Sequence, residues 1–237
     1  MQFSETTNNT GIVQQTRDMM RVDSTQWATS KIVNSCNNWL DFVAGYAIGA
    51  DRRLQWDDTN HTKLPEGTAQ LTINVSDYSF LADEQSNKIV TLTGVYILQN
   101  SKYEKLEVVD RNDPDYDYAT FGTESGTPTK YDKIADNIIR LDKLPTATVA
   151  SGIKFTFQRV PSYFAATDTT KEPGVSPLLH RGFVVASAYD GALTLGLNNL
   201  QPLSVELEKE KNKVIQYFSR RNNDEKRRLT PSRENNR

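Results

Sequence analysis

Apolar side chains recur every three or four positions at Ala28, Ile32, Cys36, Trp39, Val43 and Ala47. They form one stripe over about six helical turns, with Asp23 or Ser24 as the N-cap and Gly49 as the end. Ahead of that stripe a polar, Asn/Thr-rich start leads into a short helix over 11–21, carrying Ile12, Val13, Met19 and Met20 and capped by Thr10. Toward the other end, Ser176 followed by Pro177 reads as a cap with proline at the first helical position, and the helix it opens runs to about Gly196 with broad apolar faces. A last helix begins at 202–204 with Leu207, Val214 and Phe218 on one stripe. It places Glu206, Glu208 and Glu210 in its first turns and Arg220 and Arg221 at its end, the signs that the helix dipole favours.

Between the two helical ends the period changes. A turn-rich loop, WDDTNHTKLPEGT, is followed by extended runs at 69–75, 89–98 and 104–110. Residues 130–135 and 138–141, joined by a turn at Asp136-Asn137, read as a hairpin. In the last run Ile153, Phe155 and Phe157 face one way and Lys154, Thr156 and Gln158 the other. The order is helices, strands, helices. It predicts an α+β fold: an α-helical bundle of N- and C-terminal helices over 1–54 and 166–218, a small antiparallel β domain inserted at 55–165, and an extended basic arm at 219–237.

The arm departs from everything before it. Residues 219–237 carry seven Arg or Lys against three acids, with Leu229 and Pro231 as the apolar side chains, so the segment cannot offset its own ordering entropy and takes shape on a partner. Arg220, Arg221, Lys226, Arg227 and Arg228 could neutralise phosphates. Asp224 and Glu225 interrupt the run, and Leu229-Thr230-Pro231 follow it, which favours a protein groove over nucleic acid. At about 3.3 to 3.6 Å per residue the arm spans roughly 60 Å.

Composition narrows the remaining classes. A chain of 237 residues buries a substantial core, and a net charge of −2 excludes a general polyanion binder, leaving local patches to set any strong field. The single cysteine, Cys36, excludes an internal disulfide framework and is expected to pack as a small hydrophobe in a reducing compartment. The start lacks a basic stretch followed by an apolar one, and no apolar run approaches eighteen residues, so neither secretion nor membrane spanning is expected.

Candidate chemistry is sparse. Any histidine mechanism must use His61 or His180. Asp57, Asp58 and His61 share one loop but fall short of a closed metal site, and a satisfied loop cluster is the expectation against a hydrolase or metal enzyme. The Asp113, Asp115, Asp117 alternation lacks the glycine and the distal glutamate of a calcium loop. Tyr116 and Tyr118, rigid aromatics among acids, suit a protein contact, and His180 with Arg181 beside it suits a partly buried or interface position better than a general base. No catalytic, cofactor-binding or metal-ligating residue is expected, and the chain is read as a non-enzyme.

Three segments together resemble the head-to-tail connector (adaptor, or head-completion) proteins of tailed bacteriophages: WDDTNHTKLPEGTAQLTINVSDYSF at 56–80, KYDKIADNIIRLDKLPTATVASGIKFTFQRVPSYF at 130–164 and DTTKEPGVSPLLHRGFVVASAYDGAL at 168–193. The likeness spans most of residues 25–230 and rests on their order, with an Arg-x-Pro after the paired strands and the Glu172-Pro173-Gly174 turn before the helix of His180. The resemblance implies a homo-oligomeric ring, commonly of twelve copies, at the head–tail interface of a virion assembled in the host cytoplasm. It implies an arm gripping the portal protein through Arg220, Arg221, Lys226, Arg227, Arg228, Leu229, Pro231 and Arg233. The β part would meet the tail or next connector, Tyr116, Tyr118, His180 and Arg181 would stand at a subunit or tail interface, and double-stranded DNA would pass through the lumen without any membrane contact. The alternative is a nucleic-acid-binding module that uses the same basic arm.

Overall fold

The computed structural model describes residues 1–50, 66–80, 89–111, 117–135 and 137–219. Among them the chain is mixed α+β, with four α-helices and two four-stranded sheets. None of the helices is long and apolar enough to cross a membrane.

Helix α1, Ile12–Met20, is not capped by Thr10. Its N-cap is Gly11 without a side-chain bond, and the chain's own beginning serves instead: Ile12 N–H donates to Gln2 O and Val13 N–H to Phe3 O, both at 3.0 Å. Thr10 is diverted to Glu5, whose carboxylate gathers the amides of Asn8, Thr10 and Thr7 and the Thr10 hydroxyl, bonds that hold it down at about 2. Gly11 has to be glycine, because a Cβ there would collide with the backbone of Glu5.

Helix α2, Thr29–Ala50, starts later than Asp23 or Ser24 would place it. Asp23 Oδ1 accepts from Thr25 N–H (2.8 Å), Gln26 N–H (3.0 Å) and the Thr25 hydroxyl (2.6 Å), so it organises the turn ahead of the helix, and Ala28 is exposed outside it. Ile32, Cys36, Trp39, Val43 and Ala47 are buried as the period predicts, with Val33, Leu40 and Ala44 widening the stripe.

Pro177 opens a single 3₁₀ turn, Pro177–Leu179, without a cap bond from Ser176; helix α3, His180–Leu195, follows and ends on left-handed Gly196. It touches α1, α2 and α4 and is a central helix, buried around most of its girth from His180 to Ala192, with Arg181 and the last turn at 193–195 exposed. Helix α4, Leu200–Ser219, begins early enough that Glu206 and Glu210 fall beyond its first turn. Their charges are used sideways: the Arg181 guanidinium of α3 reaches Glu206 at 3.1 Å and Glu210 at 3.9 Å, joining the two helices. Leu203, Val214 and Phe218 seal the helical core.

The first sheet orders β1 (Glu66–Leu71), β8 (Val149–Arg159), β3 (Ile89–Gln99) and β4 (Lys102–Lys105), all antiparallel. β3 and β4 are joined by Asn100-Ser101, both with positive φ, the two-residue turn whose twist matches a hairpin. The second orders β2 (Asp77–Ser79), β7 (Ile138–Leu141), β6 (Lys130–Ala135) and β5 (Glu107–Val108), and here β5 and β6 run parallel, so the strands are not uniformly antiparallel. The run expected at 104–110 is two strands in different sheets. They part at Leu106, which is buried and donates its N–H to Val95 O. Likewise only the first part of 69–75 is strand; left-handed Asn74 turns the rest into a loop.

Side chains from both sheets meet in one apolar cluster built on Val95, Ile97, Leu106, Ile139, Leu141, Ile153, Phe155 and Phe157. Ile153, Phe155 and Phe157 alternate inward as read. The opposite face is not wet, however: Thr156 and Gln158 are also buried, Thr156 bonding the Thr93 hydroxyl at 3.0 Å, and only Lys154 is partly exposed, lying over the rings of Tyr96 and Tyr103.

Candidate functional site

The residues singled out for contact fall in separate places. Tyr118 is 53% exposed, and its ring lies 5.0 Å from the Arg140 guanidinium. Arg140 is itself fixed by two bonds to Asp77, 2.7 and 2.9 Å long, which hold the Asp77 carboxyl below its ordinary range. The result is a rigid aromatic platform on the surface, with its cation supplied from β7 and its anion from β2. Asp117, one residue earlier, accepts from Ala119 N–H and the Thr120 hydroxyl, so it caps a turn.

Beside that turn runs a groove of about 520 Å³ between residues 107–110 and 117–124, completed by Lys130 and Asp142. The linear sequence hides it because four separate segments supply its walls. Tyr116, Asp113 and Asp115 lie outside the described residues, as do Asp57, Asp58 and His61 and the whole arm from Arg220, Arg221, Lys226, Arg227 and Arg228 to Leu229, Pro231 and Arg233. Among the described residues no three His, Cys, Asp or Glu are grouped to hold a metal ion.

His180 is 2% exposed and both ring nitrogens are engaged. Nε2–H donates to Val175 O at 3.0 Å, and Nδ1 accepts from the Met1 amino group at 2.9 Å, which also lies 3.8 Å from Glu172. A ring without a free nitrogen cannot take a proton from a substrate. Burial is the first cause that pulls its pKa below the ordinary 6.5, and the Met1 ammonium adds to it. The unfolded chain therefore takes up the proton first as pH falls, so this contribution to stability is complete above about pH 6.5 and is lost below it. The melting temperature is expected to fall between about pH 7.5 and pH 5.5, and His180→Gln to flatten that fall. An unaltered pH slope in the variant would assign the effect to other groups. Arg181, on the next position, is exposed at its tip but committed to Glu206 and Glu210.

Sequence reasoning missed the hub beneath these residues. Phe164, on the segment between β8 and α3, stacks on Phe3 at 4.8 Å and meets Phe183 edge-on at 6.1 Å. Asn37 of α2 takes both its backbone groups, the Phe164 N–H at 2.8 Å and the Phe164 carbonyl at 3.1 Å. Cys36 beside it is wholly buried, and burial pushes its thiol up, away from reactivity. Compared with the known protein families and with curated proteins, the chain matches none.

Proposed function

We propose that the chain is a structural head–tail adaptor of a tailed-phage virion. In this reading the four helices form a bundle, the strands within 55–165 form a domain inserted into it, and residues 219–237 are an extended arm. Copies close into a ring, twelve being the number that the resemblance implies, through contacts between unlike faces of neighbouring subunits. Arg220, Arg221, Lys226, Arg227, Arg228, Leu229, Pro231 and Arg233 dock on the portal, Tyr116 and Tyr118 face the tail or next connector, and double-stranded DNA passes through the lumen. Arg181 stands at a subunit seam, and His180, being buried, acts there only by holding the first turn of α3.

The observation that carries this reading is a coreless segment of net charge +4 attached directly to α4, at the end of a chain whose three quoted segments fall in the order of that family. One such arm binds weakly because it must be ordered on docking, whereas a ring engages many arms together and avidity multiplies. Deleting residues 220–237 is expected to leave folding intact and to abolish the joining of heads to tails, scored as heads that fill with DNA but stay tailless. Purified virions should hold the chain in ring stoichiometry; its absence from mature particles would end this reading. Intact joining together with lost, steeply salt-dependent DNA affinity would instead establish the nucleic-acid-binding alternative, which rests on the same seven cations.

A further inference from the structure

Strand β5 is the outermost strand of its sheet. Glu107 N–H donates to Thr129 O and Val109 N–H to Tyr131 O, both toward β6, and among the described residues no strand pairs on its other side. Val108 is 67% exposed, and the groove beside it is walled across by Phe121. An open strand edge with an exposed aliphatic side chain is a template for an added strand.

Charge decides which strand fits. Among the described residues, the groove's lining carries the carboxylates of Glu107, Asp110, Asp117, Glu124 and Asp142 and one ammonium, that of Lys130. Residues 220–237 carry seven Arg or Lys against three acids; taking this +4 from the chain's −2 leaves −6 for residues 1–219. The segment starts where α4 ends, at Ser219, and its eighteen residues span roughly 60 Å when extended.

We propose that residues 220–237 dock on the open edge of β5 as an added strand lying along the groove. Side chains alternate in such a strand, so Lys226 and Arg228 face one way and Arg227 and Leu229 the other. Leu229 covers Val108, and the cations meet the groove's carboxylates. The contact is shallow and electrostatic, so it releases the segment to a better-fitting partner and weakens with salt. It stands on edge geometry and charge, independently of the virion reading.

The test is zero-length carbodiimide crosslinking of the full-length protein, which joins an amine to a carboxylate in contact with it, with the links mapped by mass spectrometry. Lys226 is the one lysine of the segment. Apart from its neighbours Asp224 and Glu225, it is expected to link to Glu107, Asp110, Asp117, Glu124 or Asp142. The yield should fall about fivefold at about 0.5 M salt. It should fall similarly in two full-length variants, Glu107→Lys with Glu124→Lys, and Arg227→Glu with Arg228→Glu, the second leaving the body untouched. A mixture of isotope-labelled and unlabelled protein tells whether the segment comes from the same copy or a neighbour. Links from Lys226 to other carboxylates, or a yield indifferent to salt and to both variants, overturn the proposal. A failed head–tail assay would leave these crosslinks standing, so the two readings fail separately.

Discussion

Phe164→Ala is expected to lower the stability of the folded chain by about 3–5 kcal/mol, a large part of what a domain of this size possesses. The ring is 4% exposed and holds three things at once: Phe3 on one face, Phe183 at its edge and the Lys171 ammonium 5.5 Å away. Removing it opens a cavity between the strap at residues 1–4 and α3, and a cavity lined by a fully buried Phe3 cannot be filled by a small shift. The strap then keeps polar bonds, among them Phe3 N–H to Lys171 O, Ser4 N–H to Thr169 O and the Met1 ammonium to His180. Because Gln2 and Phe3 supply the cap of α1, loosening the strap also frays that helix. Urea unfolding followed by circular dichroism measures the loss, and a drop below about 1 kcal/mol would show that Phe164 is not the hub.

That hub shows where sequence reading stops. The stripe of α2 was legible because helix period and burial coincide along it, and Ile153, Phe155 and Phe157 because period two does the same in β8. Phe3 and Phe164 lie in stretches without a period to mark them, and they bury each other across more than 150 residues. The caps expected at Thr10, at Asp23 or Ser24 and at Ser176 do not form, for a related reason. A capping residue is recognised by type, yet Glu5, Thr25 with Gln26, and a 3₁₀ turn compete for or replace the expected bonds.

Strand partners were less legible than strands. Nothing local distinguishes Leu106 as the point where the chain leaves one sheet for the other, nor marks β5 as the parallel neighbour of β6. For the candidate site, the exposure of Tyr118 is legible because an aromatic among acids is conspicuous. The groove beside it stayed hidden because its residues converge only after folding. The sequence suggests a partly buried or interface position for His180, whereas the ring is almost wholly buried, and its doubly bonded state depends on Met1 and Val175, which no spacing connects to it.

The second large effect is expected at Gly182. A Cβ there would lie 2.5 Å from Cζ2 of Trp39 and 2.7 Å from its Nε1, closer than real carbon atoms approach. The indole cannot retreat: Trp39 is 5% exposed and stacks on Phe42 at 5.0 Å. Alanine is the better helix former by about 1 kcal/mol, so propensity alone predicts that Gly182→Ala stabilises α3. Overpacking against a fixed ring costs about 1–3 kcal/mol and decides the sign, and Gly182→Leu, which adds three more carbons to the same space, is expected to prevent α3 from packing on α2. Gly45 of α2 supplies the matched control. It is a helical glycine with nothing within 4 Å of its Cβ position, so Gly45→Ala is expected to raise stability by about 0.5–1 kcal/mol. Melting both alanine variants beside the wild type separates packing from propensity. If both shift upward, α2 and α3 do not approach as closely as the Trp39–Gly182 contact requires.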